Sequence, residues 1–159
     1  MKSLVRVFRR ALISGSSASV ASTLALFHGG VRDCRSAIAP VNAVSHWLWE
    51  DKAFRQHETS LRYSLAGYCI HHAASIFWAI AYEKLAFRRH DPPTKAEAIA
   101  SAATVAAVAL AIDMQCTPKR LTPGFERKLS KQSLLVVYAA FGAGLVLHSL
   151  LSTNNGQRH

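Results

Sequence analysis

Residues 63–82, YSLAGYCIHHAASIFWAIAY, run for 20 positions without an Asp, Glu, Lys or Arg. At 1.5 Å rise per residue such a helix is as long as the roughly 30 Å hydrocarbon core of a bilayer is thick. Its middle holds two adjacent histidines, His71 and His72, which a membrane span tolerates only at a cost. The same freedom from charge recurs at 11–31, 36–49, 98–112 and 132–157. All 28 charged residues therefore fall in the remaining 63 of 159 positions. The net charge of +10 and the half-apolar composition are thus segregated along the chain. So apolar a chain can bury surface, which excludes disorder. Three cysteines, Cys34, Cys69 and Cys116, are too few and odd in number for a disulfide scaffold.

These stretches predict an all-α polytopic membrane protein, a bundle of four transmembrane helices at about 11–28, 63–84, 95–116 and 132–151. The helix at 95–116 is marginal, because it is mostly alanine and must accept Glu97 and Asp113. A basic flank, 1–10, precedes this single membrane domain of 11–152, and a polar tail, 153–159, follows it. Block 36–49 is too short to span. It predicts a short helix, about 37–50, lying in the interface or tucked against the bundle, with Pro40 in its first turn.

Boundary signals agree with four helices. Asp91-Pro92-Pro93 breaks the chain before Thr94-Lys-Ala-Glu97, a capping box. Thr117-Pro118 and Thr122-Pro123-Gly124 interrupt it again, and Gly29-Gly30 is expected to end the first helix. Trp47, Trp49, Tyr63, Tyr68, Trp78 and Tyr82 stand near predicted boundaries, where amphipathic rings suit the headgroup level. The N-terminus opens like a signal peptide, with Arg9-Arg10 before an apolar run. Serines dilute that run, however, and Pro40 follows the tidiest cleavage site, so an uncleaved first helix is expected.

Basic residues sit between helices rather than along helix faces, which suits anionic lipid headgroups and excludes nucleic acid as the partner. With four spans, one side carries nine Lys/Arg and the other ten. The first helix then sets the orientation, placing both termini in the cytoplasm. Small residues at i, i+4, i+8 supply helix contacts: Gly15, Ser19, Thr23; Ala103, Ala107, Ala111; and Ala140, Gly144, His148. They imply a tight intramolecular bundle, with a homo-oligomer or another membrane protein as further partner.

Ionisable groups inside spans are the candidate site. If helices two and three are antiparallel across a short connection, Asp113 lies level with Gly67, about 6 Å along the axis from His71. His28, Asn42 and His46 fall toward the same side. His28, Asn42, His46, His71, His72 and Asp113 thus form one expected polar cluster. Its functional reading is a proton- or ion-linked element using an Asp/His pair. Its structural reading pairs Asp113 with Lys119 or Arg120 and leaves the histidines bonded within the bundle.

No C-x-x-C, H-E-x-x-H or E-x-x-H spacing marks a metal site. His71 and His72 point about 100° apart, and His148 lies roughly 12 Å from the level of His71, too far for a shared haem. No cofactor is therefore expected. Neither G-x-S-x-G nor a phosphate-binding glycine loop occurs, and Ser64 and Ser75 read as helix-packing serines. A non-enzymatic membrane component is the first expectation; an enzyme or a haem- or metal-binding subunit stands behind transport.

The segments 42-NAVSHWLWEDKA-53 and 121-LTPGFERKLS-130, with the histidine pair in a second helix, resemble small, uncharacterised bacterial inner-membrane proteins with four predicted spans. The resemblance covers 40–150. It implies a location in the bacterial cytoplasmic membrane and transfers no site residue.

Overall fold

The structure, a computed structural model, describes residues 2–88 and 90–155, so Met1, Arg89 and residues 156–159 of the polar tail lie outside it. Among the described residues every regular element is helical: α1 (Lys2–Cys34), α2 (Ala39–Val44), α3 (His46–Trp49), α4 (Ala66–Ala86), α5 (Lys95–Ala111) and α6 (Lys131–Asn155). Short 3-10 turns occupy Glu50–Arg55 and Phe125–Arg127, and π turns occupy Leu61–Leu65 and Ile112–Cys116. Three segments, Leu4–Cys34, Lys95–Cys116 and Lys131–Leu151, are long and apolar enough to cross a membrane. The marginal helix at 95–116 is thus among the three, and α4 is not. Alanine suffices for the former, while the paired imidazoles of His71 and His72 lower the hydropathy of the latter.

Helix α1 is longer than expected at both ends. The basic flank forms its first turns, and Gly29-Gly30 does not stop it. Both glycines stay helical and serve close packing. A Cβ at Gly29 would come within 3.1 Å of Leu129 and Ser133 on the approach to α6, and one at Gly30 would strike the Ser36 carbonyl. The stop comes at Arg35, in left-handed backbone at φ 57°. There the Ser36 N–H folds back onto the Gly30 carbonyl at 3.1 Å. At the start of α5 the predicted capping box is present, with Thr94 Oγ1 accepting from the Glu97 N–H and the Glu97 carboxylate accepting from the Thr94 N–H.

Helix α1 packs on both α4 and α6, and α6 also packs on α5. Glycines set the closest crossings. A Cβ on Gly15 would lie 2.8 Å from the Ile76 Cα of α4, and one on Gly144 of α6 would collide with the Ala18 backbone of α1. The stripe Gly15, Ser19, Thr23 is buried, as a packing seam requires. Helix α5 uses another face than its expected stripe: Ala98, Ala102, Ala106 and Ala109 are buried, whereas Ala103, Ala107 and Ala111 are exposed. On α6, Gly144 is buried, Ala140 half-buried and His148 exposed.

The N-terminal turns are tied to the α4–α5 connection. Asp91 accepts from Arg10 at 2.8 Å and from Arg6 at 3.1 Å, and the Arg10 guanidinium stacks 3.9 Å over the Phe87 ring. The Arg10 hydrogen bond holds the Asp91 carboxyl below its ordinary range. The clamp therefore stabilises the fold above that range and is lost as pH falls through the lowered value.

Gly144→Ala should destabilise the detergent-solubilised protein by about 1–3 kcal/mol, because the added methyl meets backbone that cannot rotate away. Ala143→Leu, on the exposed neighbour, should leave thermal unfolding unchanged. Equal melting of the two variants would contradict the packing described.

Candidate functional site

The expected interfacial helix at 37–50 is two short helices, and the first is a plug rather than a surface element. All six residues of α2 are buried, with Pro40 in its first turn. Gly67 of α4 accommodates the Val41 carbonyl, where a Cβ would overlap it. Gly124, at φ 90°, lies over the Ala43 carbonyl and would place a Cβ 2.6 Å from His46 Nδ1. A left-handed glycine is required at that turn.

Asn42, fully buried, satisfies the connection that returns to α4. Its Nδ2 donates to the carbonyls of Gln56 (3.2 Å) and Glu58 (2.9 Å), and its Oδ1 accepts from the Ser64 hydroxyl at 2.7 Å. Ser64 is thus a partner of Asn42 rather than a mere packing serine. His46 Nδ1 stands 2.9 Å from the Ala43 carbonyl, and its ring lies 5.1 Å from that of Phe54. Both residues are thus engaged in contacts that hold the plug. His28 is exposed on α1, and His72 stacks on Tyr68 at 5.8 Å.

Two members of the expected cluster, His71 and Asp113, do line one cavity, of about 500 Å³. They do not form a pair. His71 Nε2 is 2.8 Å from the Ser22 hydroxyl on α1. Asp113, in the π turn that ends α5, accepts at Oδ2 from the Tyr138 hydroxyl of α6 at 2.6 Å. Phe125 lines the same cavity, its ring centroid 6.3 Å from that of His71 and 6.2 Å from that of Tyr138. The 117–130 connection is therefore no simple surface loop: it drives an aromatic ring, only 4% exposed, into the bundle. Nor does Asp113 pair with a cation of that loop, since Arg120 bonds Glu50 at 3.2 Å.

Most of the remaining lining is apolar, and it includes Trp78, at mid-helix rather than at a boundary. Lining residues Trp47, Phe77, Ile112 and Leu121 are also among the exposed large hydrophobics, so they form its mouth on the outer flank of the helices. Sequence reasoning missed Ser22, Phe125 and Tyr138, which are ordinary residues until a partner is placed opposite them. It also missed Glu83, 3% exposed, whose Oε1 accepts from Ser14 at 2.7 Å.

Comparison of the chain with protein-family models, curated proteins and solved structures found no match.

Chemically, the cavity is a mostly apolar chamber. Ser75 donates to the His71 carbonyl within its own helix at 2.8 Å, so its hydroxyl is not held by an imidazole as a nucleophile would be. Among the described residues no three His, Cys, Asp or Glu side chains gather around one point as metal ligands. What the chamber offers is apolar wall, aromatic face and two separated polar points.

Phe125→Ala should cost about 3–5 kcal/mol of stability, as expected for a buried aromatic truncated to alanine. Tyr138→Phe should cost less, about 1.5–3 kcal/mol, for one hydrogen bond to a charged group. Denaturant unfolding in mild detergent checks the order; a larger loss for Tyr138→Phe would contradict the wedge role of Phe125.

Proposed function

We propose that this chain is a multi-pass protein of a bacterial cytoplasmic membrane in which α1, α4, α5 and α6 all span. In this reading it is a binding component rather than an enzyme, and it holds an apolar molecule drawn from the bilayer. Support for a fourth span comes from register. Ser14, Gly15 and Ser22 of α1 meet Glu83, Ile76 and His71 of α4. Helix α4 thus lies at the depth of the middle of α1, and the two cross the bilayer together. Both termini then lie in the cytoplasm, and the basic residues at the helix ends meet anionic headgroups.

The observation that carries the binding reading is the apolar cavity with its mouth on the flank that would face lipid. A pocket of a few hundred Å³, apolar with a few convergent polar groups, is the ordinary form of a small-molecule site. His71 bonds the Ser22 hydroxyl and Asp113 that of Tyr138, so the binding reading is preferred here to one built on a direct Asp/His pair.

In nanodiscs, energy transfer from tryptophan to a neutral apolar dye such as N-phenylnaphthylamine should saturate at one dye per chain, above the protein-free background. Ala73→Trp, at an exposed lining position, should remove the saturable part. Transfer that rises linearly with dye, as simple partition does, would overturn the reading.

A further inference from the structure

The charge distribution around the cavity specifies the ligand further. The chain has 19 Lys/Arg against nine Asp/Glu, yet no Lys or Arg lines the cavity. Its one acidic lining residue is Asp113. Among the described residues Asp113 makes a single hydrogen bond, from Tyr138 to Oδ2, which leaves Oδ1 to meet a ligand. A second carboxylate, Glu126, is close enough to act on Asp113 electrostatically, and its Oε2 is buried without a partner. No cation in the lining offsets these two. Arg120 and Arg127 are occupied by Glu50 and Asp51 at the surface.

Six rings line the cavity, Trp47, Phe77, Trp78, Phe125, Tyr138 and Phe141, and Tyr138 is in direct contact with Asp113. Aromatic faces attract cations, most strongly where water is excluded, and a carboxylate beside them adds to the attraction. An anionic group would be repelled by the Asp113 carboxylate with no cation in the lining to offset it, and a purely neutral hydrocarbon would leave Asp113 Oδ1 without a partner. Resting on the binding reading above, we infer that the cavity takes a lipophilic organic cation, an ammonium or phosphonium with an apolar or aromatic body. The body lies on the walls near Phe77 and Trp78, and the positive centre sits toward Asp113 Oδ1. His71 stays bonded to Ser22 and does not contact the charge.

The test uses the full chain in nanodiscs and competition against the neutral dye. Tetraphenylphosphonium should displace the dye, whereas tetraphenylborate, of the same shape and opposite charge, should not. Asp113→Asn, which keeps an acceptor for Tyr138, should weaken the phosphonium by about tenfold or more, the weight of a lost charged partner, and by more than it weakens the neutral dye measured in the same variant. Asp113→Glu should restore much of the affinity. Equal competition by both ions, or an unchanged phosphonium affinity in Asp113→Asn, overturns the cation assignment and leaves the cavity reading standing. Absence of any saturable dye binding overturns both. Should Asp113→Asn fail to fold, the contrast between the two ions on the native protein decides the matter alone.

Discussion

The close approach of α1 to its two neighbours is the constraint on which the rest of the molecule depends. Gly15 brings the backbone of α4 in, and Gly144 brings that of α6 in, so α1 occupies the middle of the assembly. In lipid, where burial of apolar side chains gives no advantage over contact with acyl chains, close packing and interhelical hydrogen bonds supply the attraction. Ser14 to Glu83 and Ser22 to His71 are such bonds, and they stand in the same seam. With α1 fixed on α4 and α6, α5 closes on α6 through Gly142 and Ala106. What remains open is the space beside α4, and that space is the cavity.

The helices were legible in the sequence because freedom from charge and the capping signals act locally. The box at Thr94–Glu97 is a property of four consecutive residues, and it forms as read. Gly29-Gly30 was misread because glycine both ends helices and admits neighbours. Which use applies depends on Ser133 and Pro40, residues far away or in the next element. The expectation for 37–50 was right that a short helix lies there. It could not choose between interface and bundle, since the burial of Asn42 is decided by carbonyls at 56 and 58 and a hydroxyl at 64.

The site was half legible for the same reason. Level counting along antiparallel helices brought Asp113 and His71 to one chamber, and both line it. It gave no angular information and no account of the ring that the 117–130 connection contributes to the lining. Phe125 follows Gly124, whose positive φ the Pro123-Gly124 pair announces as a turn, but no local pattern says that this turn packs against the plug helix. Each polar group has its own hydroxyl partner, Ser22 for His71 and Tyr138 for Asp113. The overall basicity of the chain concealed the opposite character of this interior. The cations mark helix ends, while the lining keeps a single carboxylate.

Everything said of function requires α4 to lie within the bilayer, at the depth of the middle of α1. The most direct measurement is the depth of Trp78, the sole fluorophore of its kind in a Trp47→Phe, Trp49→Phe variant. In vesicles carrying nitroxide-labelled lipids, labels deep in the acyl chains should quench Trp78 more than labels near the headgroups, and aqueous acrylamide should quench it poorly. Stronger quenching from the headgroup labels or from the aqueous phase would contradict the account.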